Sequence, residues 1–235
     1  MQSLVEGSSI VVIDDDEADA DSIAHPLQDA GFQTVTISSF DPTQDVDVFV
    51  AQLAKHYDAL VCDHILAGRS PVRFTGAELV CKANRFPERP LPAVLISSHV
   101  NTDQNGAILR YREGIPAVLD KSDAGGNAVF EALEYTLNEL EGNLARERRA
   151  FATPIEVLEV RNEGEEPQAK VVVVGWKIDS SVWMPLQPIL DATGLLADEL
   201  PGQWLEADVN CHADEASHLF YRNIVLAPEL PKDWL

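Results

Sequence analysis

The chain has 235 residues, 46% of them hydrophobic, which is enough for one large domain or two modest ones with real cores. Its net charge of −22 is spread over both halves, with 24 acidic against 12 basic residues in 1–150 and 15 against 5 in 151–235. That balance argues against nucleic acid and anionic membrane surfaces as partners, since both are bound through Lys and Arg. No window approaches the roughly 18 consecutive apolar residues of a membrane span, and the opening "MQSLVEGSSIVV" lacks the basic flank of a signal sequence. Cys62, Cys81 and Cys211 form no CxxC pair, so the expected location is a reducing one, the cytoplasm.

In chain order, "SSIVVID" is a β-branched apolar run ending at Asp14 and Asp15, and it predicts a buried parallel strand. A helix to Gly31 follows, apolar at Ile23, Leu27 and Ala30, with Pro26 inside it as a missing hydrogen bond or a kink. The pattern repeats with "TVTIS" and a helix over 45–56, with "DALVCD" and a helix from Gly76, and with "PAVLISS" and a helix near 103–113. It ends with "IPAVLDK" and a long helix from Asn127. Five such alternations predict a doubly wound α/β fold, a parallel sheet with helices on both faces and a ligand site outside the carboxyl ends of the strands.

At that rim Asp14 and Asp15 follow the first strand, Asp63 ends the third, Ser97 the fourth and Lys121 the fifth. Three carboxylates that converge repel one another unless a cation sits among them, and oxygen ligands of this kind suit Mg2+. A lysine and a hydroxyl on the same rim complete a set for handling a phosphoryl group, for which a carboxylate can be the nucleophile.

These residues, in "VVIDDDEAD", "LVCDHIL", "PAVLISSHV" and "GIPAVLDKSD", resemble the response-regulator receiver domain over about residues 8–145. The resemblance implies a flavodoxin-like five-stranded sheet of order 2-1-3-4-5 and function in a two-component phosphorelay. It implies that Asp63 accepts a phosphoryl group from a histidine kinase or a histidine phosphotransferase. It also implies that Asp15, Asp63 and the Ile65 carbonyl ligate Mg2+, with Asp14 helping through water, and that Ser97 and Lys121 contact the phosphoryl oxygens. Asp16 reads as the cap or first-turn acid of the next helix.

The chain departs from the family pattern in several places. Val118 holds the place of the aromatic switch residue, which leaves the loop after Ser97 and the fourth helix to carry the signal. Lys121-Ser122 replaces Lys-Pro, and a cis peptide is strongly disfavoured without proline. Ala67 replaces the family's proline in a longer loop, whose Arg69 and Arg73 either contact the phosphoryl group or an acidic partner, or are solvated. His99 falls where receivers tune the phosphoryl lifetime, and surface chance explains it equally well. His64 is expected to point away from the site.

Phe130, Leu133, Leu137, Leu140 and Leu144 form a heptad seam that ends in Arg146, Arg148 and Arg149. It predicts a last receiver helix and connector over 127–150 that either forms a homodimer or docks the tail. Residues 1–126 would be the receiver core and 151–235 a second, α+β domain. This tail holds all four tryptophans: 176, 183, 204 and 234. It predicts a hairpin from "IEVLEV" and "KVVVVGWKI", a helix near 182–193, a strand in "QWLEADVNC", a helix near 213–221 and a strand in "NIVLAP". "CHADEASH" places Asp214 and His218 at i, i+4, either a weak metal pair or exposed polar residues. The expected output is contact with a downstream protein. The alternatives are an enzymatic or ligand-binding tail under receiver control and, against the charge balance, a transcriptional regulator.

Overall fold

The computed structural model describes residues 4–66, 72–98, 106–125, 127–162 and 166–228. The chain divides into two compact units, 1–144 and 145–235.

Unit 1 is built on strands β1 (Ser9–Ile13), β2 (Gln33–Ile37), β3 (Ala59–Asp63), β4 (Ala93–Ser97) and β5 (Val118–Asp120). All pair in parallel in the order β2-β1-β3-β4-β5. The three inner strands are covered on both faces, so apolar residues run without a polar alternate. The period of two then divides them. Ile10, Val12, Ala59, Val61, Val94 and Ile96 pack with Ile23 and Leu27 of α1 (Glu17–Asp29) and with Val129 and Leu133 of α5 (Ala128–Leu140). Val11, Ile13, Leu60, Cys62 and Leu95 pack with α2 (Val46–His56), α3 (Gly76–Asn84) and Ile108 of α4 (Gly106–Tyr111). Capping side chains start the first three helices: Asp16 accepts from Ala18 and Asp19, Asp45 from Asp47 and Val48, and Thr75 from Glu78. Pro26 lies inside α1, which continues to Asp29 and closes with Ala30 N–H donating to the Pro26 carbonyl.

The connector expected over 127–150 is not a continuous helix. α5 stops at Leu140, and Gly142 takes a left-handed φ of 90° while Asn143 N–H reaches back to the Asn138 carbonyl. That is a glycine C-cap, and a heptad pattern cannot propagate a helix through it. Leu144 therefore falls outside the helix and is exposed, and Arg146–Arg148 form only a 3-10 turn.

Unit 2 is an antiparallel five-stranded sheet of β6 (Phe151–Arg161), β7 (Gln168–Val173), β8 (Ser181–Pro185), β9 (Trp204–Val209) and β10 (Tyr221–Leu226). The order is β10-β9-β6-β7-β8. One face carries Ile155, Val157, Val171, Met184, Leu205 and Val209, packed with Ile189 of α6 (Gln187–Thr193) and with Leu200. The helix expected near 182–193 is in fact β8 followed by α6. The helix expected near 213–221 is a single turn at Ala216–His218, so Asp214 and His218 share no helix face. The predicted hairpin is β6 and β7. No described helix is long and apolar enough to cross a membrane.

Candidate functional site

The candidate side chains sit where β1, β3, β4 and β5 end. Asp14 directly follows β1 and is fully buried. Its Oδ1 accepts the Asp16 N–H at 2.9 Å, which turns the chain into α1. Asp63, the last residue of β3, pairs in register with Ile96, so Ser97 ends β4 one residue further along, also buried. Asp63 Oδ2 accepts the Ile65 N–H at 2.8 Å, and this bond starts the loop after β3.

Carboxylate oxygens of Asp14, Asp15 and Asp63 all lie within 4.8 Å of one another. Among the described residues they are the only group of three His, Cys, Asp or Glu side chains placed to share a metal ion. Lys121, which follows β5, sets its ammonium 2.9 Å from Asp14 Oδ2 and 3.3 Å from Asp63 Oδ1. Asp14 Oδ2 is buried, with the Lys121 ammonium as its close polar neighbour. Burial pushes the Asp63 carboxyl up to about 6; Lys121 opposes the rise and Asp14 adds to it. Burial raises Asp14 too, against the bond from Asp16 N–H and the Lys121 charge. Partial burial works against the charge on Lys121, but Asp19, Asp14 and Asp63 outweigh it and hold the ammonium above the usual lysine range.

Three carboxylates gathered within reach of one another, two of them buried and sharing a single ammonium, fit a small hard cation with oxygen ligands. Asp14, Asp15 and Asp63 are the residues that would hold it.

Two contributors escaped the sequence reading. Asp19 Oδ2, in the first turn of α1, lies 2.8 Å from the Lys121 ammonium. Gly76 opens α3 against the backbone of Asp63: its N–H donates to the His64 carbonyl, and a Cβ there would lie 1.7 Å from the Asp63 carbonyl oxygen. The signal for Gly76 was its place at a helix start beyond the Asp63 loop; Asp19 carried none beyond first-turn acidity.

Asp16 is the N-cap of α1. Val118 is half-buried against the core that contains Ile108. No cis peptide occurs among the described residues. Arg73 is exposed, whereas Ala67, Arg69 and His99 lie outside the described residues.

No family model and no curated protein matches the chain. Solved structures do. The signal receiver domain of the response regulator NarL from Mycobacterium tuberculosis is 21% identical, over 59% of this chain and 99% of that one, with a TM-score of 0.39. A CheY-like receiver domain from Methanospirillum hungatei is 19% identical, over 59% and 99%, with a TM-score of 0.42. The receiver domain of a modulated diguanylate cyclase from Desulfovibrio desulfuricans is 16% identical, over 59% and 99%, with a TM-score of 0.45. These similar structures are receiver domains. The C-terminal part of the chain is not matched.

Proposed function

We propose that residues 1–144 are the phosphoryl-accepting receiver of a two-component response regulator. The observation that carries this reading is the meeting of Asp14, Asp15 and Asp63 with the Lys121 ammonium at the carboxyl ends of parallel strands. In the reaction a carboxylate oxygen of Asp63 attacks the phosphorus of a phosphohistidine on a histidine kinase or histidine phosphotransferase. The P–N bond breaks, its electron pair returns to the imidazole, and an acyl phosphate forms on Asp63. Mg2+, when bound, would supply positive charge that offsets the charge on the carboxylates and the phosphoryl group.

The chain's own residues do the rest. Asp15, Asp63 and the Ile65 carbonyl would hold the cation, with Asp14 helping through water, and Lys121 neutralises charge on the transferred group. Ser97, at the end of the strand beside β3, supplies a hydroxyl to the same oxygens. Unit 2 signals by contact with a downstream protein. The support for this is the apolar surface it leaves open, with Trp204 47% and Val225 50% exposed on the adjoining strands β9 and β10.

The test is incubation with Mg2+ and a small phosphodonor such as acetyl phosphate, followed by intact mass. The wild type gains one phosphoryl group and Asp63→Ala gains none. Equal masses for the two proteins overturn the proposal.

A further inference from the structure

Three carboxylates surround the Lys121 ammonium, which donates a hydrogen bond to Asp19. Its Nζ lies 2.8 Å from Asp19 Oδ2, 2.9 Å from Asp14 Oδ2 and 3.3 Å from Asp63 Oδ1. An ammonium has three donors and no more, so an arriving anionic group competes with these partners for it. Asp14 is fully buried, and leaving it unpaired is costly, while Asp63 is itself the attachment point of the arriving group. The Asp19 side chain is 52% exposed, and water can solvate it again at little cost. Its position is fixed by the helix start, where Asp16 Oδ1 accepts the Asp19 N–H at 3.3 Å, which brings the carboxylate over the rim to Lys121.

We propose that Asp19 is a positioning residue: it holds Lys121 as an exchangeable counter-ion until a phosphoryl group arrives, and then gives the lysine up. The proposal rests on the receiver function above and adds a residue to it. It also fixes the signs of two equilibria. The Asp19 charge partly cancels Lys121, so it favours a cation among the carboxylates and disfavours an anion beside the lysine.

The experiment measures, on the full chain, Mg2+ affinity by calorimetry and the affinity for beryllofluoride, a phosphoryl mimic, at saturating Mg2+. Asp19→Asn should weaken Mg2+ binding by about threefold and tighten beryllofluoride binding by about threefold, the scale of one exposed ion pair. Asp19→Glu should return both toward wild type. Glu17→Gln removes the same charge from the same exposed turn of α1 without touching Lys121, and should change neither. A residue that merely stabilises the first turn would move both affinities the same way or not at all, and either result overturns the proposal. So does an equal effect of Glu17→Gln. If the wild type itself fails to bind beryllofluoride, the phosphoryl function falls, and the Asp19 proposal is then decided by the Mg2+ measurement alone. Equal Mg2+ affinities in wild type and Asp19→Asn would sink it.

Discussion

Asp63 shows what the site costs the fold when no cation is bound. Its unfolded carboxyl titrates near 3.9, and its folded one is pushed up to about 6 by burial. A folded value above the unfolded one means that the native state prefers the protonated acid. The stability this gives is fully present below about pH 4 and is lost as pH rises through 6, amounting to roughly 3 kcal/mol by pH 7.5. Asp14 shifts in the same direction. In metal-free buffer, Asp63→Asn should therefore melt several degrees above wild type at pH 7.5, with the gap closing by pH 4.5. Added Mg2+ should raise the wild-type midpoint and leave the variant nearly unmoved. A variant that melts at or below wild type at pH 7.5 would show that the Lys121 pair outweighs desolvation at this site.

At the scale of elements, unit 1 was legible because each inner strand is a bare apolar run that stops at a polar residue. Both facts have one cause, a strand buried on two faces with its carboxyl end at an open rim. The tail was harder. Val182, Leu186 and Ile189 are spaced by four and three, which reads as a helical stripe, yet Val182 faces the core from β8 and the other two from the turn and helix that follow. Tertiary pairing with β7 decided that segment, and no local period could report it. The seam from Phe130 to Leu144 misled in the opposite way, because a pattern of leucines does not register the stop imposed by Gly142.

Gly76 is a contact that only the folded chain reveals. In a free helix Ala is favoured over Gly by about 1 kcal/mol, so Gly76→Ala ought to help. Here the added Cβ would overlap the Asp63 carbonyl oxygen, a backbone atom that can move only by shifting the end of β3. The substitution should cost about 3 kcal/mol or more in denaturant unfolding and displace Asp63 with it. Gly125, with open space around it, serves as the comparison: Gly125→Ala should change stability by no more than about 0.5 kcal/mol. Similar values for the two variants would mean that α3 does not start against Asp63.

For the whole molecule, the distribution of one residue type provides a way to watch the two units separately. All four tryptophans lie beyond residue 151. Trp176 donates its indole N–H to the Ala213 carbonyl at 2.6 Å, and Trp183 is stacked under Arg161, so two of them are fixed by contacts inside unit 2. Tryptophan fluorescence thus reports the unfolding of unit 2, while far-ultraviolet circular dichroism reports both units. The carboxylate cluster belongs to unit 1 and each unit has its own core, so Mg2+ binding should stabilise unit 1 by mass action and leave unit 2 alone. Mg2+ in large excess over its dissociation constant should raise the dichroism transition of unit 1 by a few degrees on heating. The fluorescence midpoint should stay fixed. A fluorescence midpoint that follows the dichroism would mean that the units unfold as one, and that charge neutralisation at Asp63 is felt by the sheet that carries the tryptophans.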